Sequence, residues 1–568
     1  MLSADMILIN GNVYSVKENN ELVTGNALAV RAGKIIGIGS NQEITNYADS
    51  KTKIIDCKGN TILPGLCDAH CHPSIAASVH AGCDLFGIYI QENEQADDII
   101  DKYMARLKTF IEKNDDNELI RGTGWVLGNF MGNRLPTRHD IDKICNDRPV
   151  ILESFCQHNL WVNTKALEAA GINENTPDVF AGEIVREANG YPSGVFKEPE
   201  AMELIKTRVP GYDFSVEKYK EAFLFYQKEF ANKYGVTMVQ DCMHSDNART
   251  AFTELAREGR LTCRLRGVYM LEPRDFKNQL SKYIERKGID NVNDDFRIDT
   301  IKIFTEGLFV LNEPFEAEFI QENKLPENFC GVPFWKDEDL IYASETAMQA
   351  GFNIHVHAMG DRSVNQSARC LAKAQKNLRE SNSQSTDFRN IIAHLMLVDD
   401  ESYKLMSEAN IIANCQPRWM VYDSDIDGMM PMVGRSRAEK AYPHRQFHDN
   451  GIRVAFGTDF PVTPPPDTMH ELQCAMTRSV FPDAPDYKKF KDKTLGNESP
   501  SSLSEAIKSL SLNGAYQMLM ENIAGSIEEG KSADFVILDS NLEDVPIDKI
   551  YNVKVKTTIF KGKIVYEA

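Results

Sequence analysis

The spacing of hydrophobic positions changes rhythm twice along the chain. About the first sixty residues alternate apolar and polar positions in DMILIN, GNVYSV, ALAVRAGKIIGIGS and TKIIDCKGNTILPG, with Gly, Asn and Asp between the runs. That is the texture of short antiparallel strands. The last fifty or so repeat it in AGSIEEGKSADFVILDS and KVKTTIFKGKIVYEA, so the two ends are expected to build one small β domain.

Between the ends, short apolar runs take turns with stretches whose apolar residues recur at helical spacing. The runs are TILPGLCDAHCH, YGVTMVQD, CRLRGVYM, TIKIFTEG, GFNIHVHAMGD, RNIIAHLMLV, NIIANCQPRW and GIRVAFGTDFP; the helical stretches include DEDLIYASETAMQA and DRSVNQSARCLAKAQKNL. Strand and helix in repetition build a parallel sheet, and eight strands close a (β/α)8 TIM barrel. The expected class is α/β. About 150 residues separate the first run from the second, where a barrel needs roughly 30 to 40. Residues 76–229 are therefore expected to form a subdomain inserted after the first barrel strand. The division is then a β domain from 1–63 and 515–568, a barrel from 64–75 and 230–514, and the insertion. Barrel active sites lie at the C-terminal strand ends, so the insertion is expected to cover the substrate pocket.

Composition narrows the partners. The 568 residues are 42% hydrophobic and 26% charged, ordinary for a globular chain and more length than one core usually organises. With 63 Lys and Arg against 83 Asp and Glu, the net charge is −20. A surface so charged repels phosphate backbones and anionic headgroups, which argues against nucleic-acid and membrane-surface roles. No run of 18 apolar residues occurs, and MLSADMILINGNVYSV lacks a basic segment followed by an apolar core; a cytoplasmic, unexported protein is expected. The 12 cysteines scatter singly without a CxxC pair, the usage of free thiols in a reducing compartment. A small molecule is the expected partner, with monomer and homodimer both open.

Candidate chemistry gathers where the apolar runs end. In DAHCH, His70 and His72 are two residues apart, so on a strand both imidazoles face one side and can address one cation; the alternative is two histidines near a turn. His355 and His357 lie in NIHVHAMGD, His394 in IIAHL and Asp459 in VAFGTDFP. In a barrel these positions converge on one face, which sets them apart from a lone core histidine. Lys302, between two isoleucines of TIKIFTEG, is costly as an unpaired buried ammonium. Carboxylation by carbon dioxide would make it an anionic bridging ligand; on the helix-facing side it would instead reach solvent along its stem.

Taken together, DAHCH, the strand-four lysine, the strand-five and strand-six histidines and the strand-eight aspartate resemble the amidohydrolase superfamily of metal-dependent hydrolases. Within it the chain is similar to amidohydrolase family 3, the branch that includes N-substituted formamide deformylases. The resemblance rests on GNVYSV, LPGLCDAHCHP, HNLWVNTKAL, SGVFKEP, IKIFTEG, HVHAMGDRSV, AFGTDFPV and GSIEEGKSADFVILD, and spans nearly the whole chain. It implies a composite β-sandwich from both termini beside the barrel. It also implies a site, with His70 and His72 as strand-one ligands and His357 and His394 as the strand-five and strand-six ligands. Asp459 would be the strand-eight acid and proton shuttle, and Lys302 the carboxylated bridging lysine of binuclear members. The HAMGD match selects His357 over His355. Two departures stand out. Thr305, Glu306 and Gly307 follow Lys302 where relatives commonly show Asp-Gly, so a helper carboxylate is displaced or is Glu306. Some branches bridge their metals with a carboxylate residue, which makes Glu198 in SGVFKEP the alternative ligand to Lys302.

One or two divalent ions are expected, zinc first, with manganese or iron as alternatives. Such an ion lowers the pKa of bound water from 15.7 to about 7. The expected reaction is attack of that hydroxide on the carbonyl of a linear amide, such as an N-substituted formamide or acylated amine, with Asp459 passing the proton to the departing nitrogen. Trp125 and His158 in the insertion, and Gln416 and Arg418 after strand seven, are the expected substrate contacts; Trp125 and Trp161 also suit packing positions. A second reading keeps fold and metal but deaminates a heterocyclic amine. Such members use one metal and a Glu in an HxxE motif after strand five, where this chain has Gly360. A third, a non-catalytic scaffold, is disfavoured because every expected ligand type is present.

Overall fold

The computed structural model describes residues 3–568 apart from 91–93, 115–117, 131–133, 180–181, 308, 382–386, 464 and 485. The chain divides into two compact units, one of residues 1–72, 226–244 and 253–568, the other of 73–225 with 245–252. Set beside the expected 76–229, the second unit's main segment runs 73–225, and it also takes in the first turns of helix Asp246–Arg257.

The first unit contains eight strands hydrogen-bonded in chain order: β1 (Leu66–Cys71), β2 (Val236–Asp241), β3 (Arg264–Leu271), β4 (Phe296–Phe304), β5 (Asn353–Ala358), β6 (Ile391–His394), β7 (Ile412–Cys415) and β8 (Val454–Phe456). Every neighbouring pair is parallel. All six residues of β5 are buried, as a parallel strand covered on both faces requires, and this is why the runs read as continuously apolar. Between β5 and β6, helix Asp361–Glu380 buries Val364, Ala368, Leu371, Ala374 and Leu378 at three- and four-residue spacing, the stripe of a helix lying on a core. The sheet comes round on itself beyond β8, where Asp459 N–H donates to His70 O at 2.8 Å and His72 N–H to Phe460 O at 2.7 Å.

Two further sheets of this unit use the chain ends. One has four strands in the order Lys34–Gly39, Ala27–Arg31, Met6–Ile9, Lys53–Asp56. The other has six, in the order Lys563–Glu567, Val555–Phe560, Phe535–Leu538, Thr61–Pro64, Asn12–Val16, Leu22–Gly25. One hydrophobic cluster draws on both, with Leu8, Leu28 and Val30 meeting Ile62, Phe535 and Ile559. Segments more than 450 residues apart in sequence thereby share a core.

The second unit has its own six-stranded sheet, ordered Glu183–Arg186, Pro192–Lys197, Asn159–Val162, Val150–Ser154, Ile120–Trp125, Cys83–Asp84. In its core Trp125 and Trp161 meet edge to face at 6.0 Å, beside Ile99, Tyr103 and Leu107 of helix Ala96–Lys113. Both indoles are 0% exposed and donate to backbone carbonyls, Trp125 to Leu152 and Trp161 to Thr137. Trp125 is therefore a packing residue, which corrects its expected place against substrate. All twelve cysteines are free, and among the described residues no helix is long and apolar enough to cross a membrane.

Closure of the barrel leaves no room beside β1. A Cβ on Gly457 would lie 2.5 Å from His70 N, a backbone contact that cannot give way. Gly457→Ala is expected to lower stability by about 1–3 kcal/mol, read as a lower denaturant midpoint, and to disturb the site described next; an unchanged midpoint would show that the seam is looser than this.

Candidate metal centre

The period-two geometry of β1, continued one residue past its end, carries His70 and His72 to the same side, and Asp459, three residues past the end of β8, closes against them. Its Oδ1 lies 2.9 Å from His72 Nε2 and 3.3 Å from His70 Nε2. His394, the last residue of β6, lies with its ring 4.8 Å from that of His70 and 4.5 Å from that of His357. One ligand atom each from His70, His394 and Asp459 falls within 4.8 Å of the others. Lys302 of β4 turns inward: it is 0% exposed and its Nζ sits 3.4 Å from His70 Nε2. The outward-reaching alternative for this lysine is thereby excluded. Register explains the gathering, since Lys302 pairs with His355 and Phe304 with His357 across β4 and β5.

Supporting contacts fix the geometry. Asp68, two residues before His70, accepts from Thr458 N at 2.9 Å and from Thr458 Oγ1 at 2.6 Å, pinning the backbone just ahead of Asp459. His394 and Asp459 both hold left-handed φ values, 77° and 58°, a strain of about 1–3 kcal/mol each that tends to collect at functional sites. His394 Nδ1 lies 2.9 Å from Gln416 Oε1. The carboxamide accepts the Nδ1 proton and leaves the His394 Nε2 lone pair to the centre. Gln416 Nε2 donates to Asn414 Oδ1, Asn414 Nδ2 to Gln517 Oε1, and Gln517 Nε2 to Gln240 Oε1 at 2.6 Å. Trp419 stacks on His394 at 5.2 Å, and Phe304 on His357 at 4.7 Å.

The charge states suit a cation. Burial, and next the Lys302 charge, hold His70 and His355 well below the usual imidazole range, and burial pushes His394 down to about 4. Burial would raise the Asp459 carboxyl, but the adjoining His70 and His72 imidazoles outweigh it and hold it well below the usual carboxylate range. Burial also lowers Lys302. Neutral imidazoles and an ionised carboxylate are the forms that bind divalent ions. The fit has a further sign: His72 Nδ1 is buried with no hydrogen-bond partner among the described residues.

The remaining expectations fall elsewhere. Gln416, expected at substrate, is 1% exposed and bonded to His394 and Asn414; it orients a histidine. Arg418 donates to Pro465 O at 2.8 Å and lies over the Phe481 ring. His158 and Glu198 meet each other in the second unit, with Nδ1 and Oε2 2.9 Å apart, so the carboxylate offered as alternative ligand already holds a partner. Glu198 sits at φ 68°, ψ 154°, a strained backbone for a residue with a Cβ. Glu306 is no helper at the cluster: its carboxylate accepts from Val310 N, Met359 N and Gly360 N, the last at 2.9 Å. Burial pushes its pKa up to about 8 against those donors. Sequence reasoning missed Cys242, which with His70 and His355 forms a second group of ligand atoms within 4.8 Å. Its signal was its place directly after the run VQD of β2.

A sequence model of the amidohydrolase family matches residues 53–566. The chain is 27% identical over 576 residues to the putative amidohydrolase YtcJ of Bacillus subtilis (strain 168), covering 98% of each. It is 22% identical over 572 residues to N-substituted formamide deformylase of Arthrobacter pascens, covering 99% of this chain and 98% of that one. Among solved structures, an uncharacterized metal-dependent hydrolase from Pyrococcus furiosus is similar in fold, with a TM-score of 0.69 at 22% identity over 94% of this chain and 98% of that one.

Gln416→Leu removes the acceptor for His394 Nδ1 at nearly constant volume. The variant is expected to bind zinc about 10–100-fold more weakly, measured by chelator competition, while Gln416→Glu keeps most of the affinity. Equal binding by Gln416→Leu and wild type would show that the carboxamide does not orient His394.

Proposed function

The chain belongs to the amidohydrolase family and is a hydrolase, and on that footing we propose that it cleaves a non-peptide carbon–nitrogen bond in a linear amide, such as an N-substituted formamide or an acylated amine, at a divalent-metal site. The observation that carries this reading is the convergence of His70, His394 and Asp459 within 4.8 Å, with Lys302 turned inward beside them. The formamide deformylase similarity supports the substrate class. We read the paired terminal sheets as a composite β-sandwich and the second unit as an insertion between β1 and β2.

In this reading His70, His72, His357, His394 and Asp459 hold one or two ions, zinc being the one their nitrogen and oxygen donors suit. Lys302 is the bridging position. Its neutral amine nitrogen adds carbon dioxide: an N–C bond forms, one N–H proton leaves, and a carbamate anion results. A divalent ion bound there supplies Lewis acidity toward the substrate carbonyl and a water acidic enough to be deprotonated near neutral pH. Asp459 accepts the proton of the attacking water on its carboxylate and returns it to the departing nitrogen, so the amine leaves neutral. Gln416 keeps His394 aimed throughout. Deamination of a heterocycle asks for a glutamate at position 360; there a Cβ would meet Val310 O at 2.2 Å, and the backbone N–H of Gly360 is already given to Glu306.

The test is elemental analysis of protein purified without chelator, alongside Lys302→Ala and Asp459→Asn. Wild type is expected to carry about two ions per chain, and Lys302→Ala to lose at least one. Asp459→Asn should retain more metal than Lys302→Ala yet lose about 10²–10⁴ in turnover of N-substituted formamides. One ion untouched by Lys302→Ala would bring the mononuclear deaminase reading forward; no metal even after adding zinc or manganese would sink the assignment.

A further inference from the structure

With His357 taken as the strand-five ligand, His355 has no assigned task, although it is 0% exposed and lies against the centre. Building on the metal reading above, we propose that His355 is a positioning residue that fixes the tautomer and aim of His70, and that Cys242 anchors His355 in turn. His355 Nε2 lies 2.9 Å from His70 Nδ1. Two imidazole nitrogens sharing a tetrahedral ion at 2.0–2.1 Å each stand about 3.3 Å apart, so the observed separation is that of a hydrogen bond.

Its direction follows from the opposite edge of His70. The Nε2 atom faces Asp459 Oδ1 at 3.3 Å and Lys302 Nζ at 3.4 Å; to offer a lone pair there, His70 must carry its proton on Nδ1 and donate it to His355 Nε2. His355 is then protonated on Nδ1, which lies 3.9 Å from Cys242 Sγ. The Cys242 thiol completes the series, with Sγ 3.7 Å from Gln240 O as its acceptor. Each group has one proton and one acceptor, and all the protons point away from the centre.

The chemical consequence concerns charge. A ligating histidine commonly gives its second N–H to a carboxylate, carbonyl or water, and an anionic partner makes it more basic. His355 is an uncharged acceptor buried with its ligand, so His70 stays less electron-rich and an ion held by it keeps more of its Lewis acidity. Position 355 thus aims His70 without adding negative charge to a site that already contains Asp459.

The test uses protein stripped of metal and reloaded with cobalt(II), whose visible spectrum reports its ligands. His355→Leu removes the acceptor, His355→Gln returns an amide oxygen at a similar reach, and Cys242→Ala removes the anchor. His355→Leu is expected to bind cobalt about 10–100-fold more weakly by chelator competition with a shifted visible band, while the metal-free Tm changes little; His355→Gln should recover most of the affinity. If His355→Leu does not fold, His355→Met, unbranched and of similar bulk, is read in its place. Wild-type affinity and spectrum in His355→Leu, or in His355→Met where that is read, would overturn the proposal. So would a thiolate-to-cobalt charge-transfer band lost in Cys242→Ala, because His70, Cys242 and His355 would then themselves be ligands. A wild-type chain that takes up no cobalt would overturn the metal reading, and the role of His355 with it.

Discussion

The site depends on the seam where β8 meets β1. Two backbone hydrogen bonds, Asp459 N–H to His70 O and His72 N–H to Phe460 O, bring the sheet round, and the same bonds deliver the Asp459 carboxylate to His70 and His72. Fold closure and site assembly are one event. The seam has little tolerance: Gly457 meets the His70 backbone without space for a side chain, Asp68 clamps Thr458, and Asp459 is held at a left-handed φ. The strain at Asp459 is offset by bonds on both sides of it, which is how a sparsely populated backbone conformation persists in a folded chain.

Behind the seam, orientation is supplied by neutral groups. Gln416, Asn414, Gln517 and Gln240 hand hydrogen bonds from one carboxamide to the next behind His394. Gln517, on helix Leu512–Gln517 near the C-terminal end, also donates to Ala69 O between Asp68 and His70. In a low-dielectric interior each such bond is strong and each unmade one is costly, so the network holds the ends of β1 and β6, with His70 and His394, in one arrangement. Ionised partners at the same places would add further charge beside the buried Asp459 carboxylate.

Much of this was legible in the sequence because strands buried on both faces leave an unbroken apolar signature, and because barrel geometry turns strand ends into neighbours. The eight runs correspond to the eight strands, and the DAHCH, IIAHL and VAFGTDFP ends meet at one place. Side-chain direction was not legible. Gln416 follows β7 as a substrate contact would, yet its carboxamide turns to His394; Trp125 ends the strand Ile120–Trp125, and its indole fills the second unit's core. Cys242 had only its place at the end of an apolar run as a signal, and a lone cysteine there is usually a small buried hydrophobe. The pairing of His158 with Glu198 joins positions forty residues apart and depends on the antiparallel contact of Asn159–Val162 with Pro192–Lys197, which no local spacing reveals.

The loop after β5 shows how a framework can decide chemistry. Glu306 follows β4, and its carboxylate gathers the backbone N–H groups of Val310, Met359 and Gly360, tying that loop to the residues directly after His357. The tie brings Val310 O so near Gly360 that no side chain fits, and the position is closed to a catalytic glutamate. Burial pushes the Glu306 pKa up to about 8 against the pull of those three donors. One carboxyl group thus serves as scaffolding, holding the loop after β4 against the residues that follow His357.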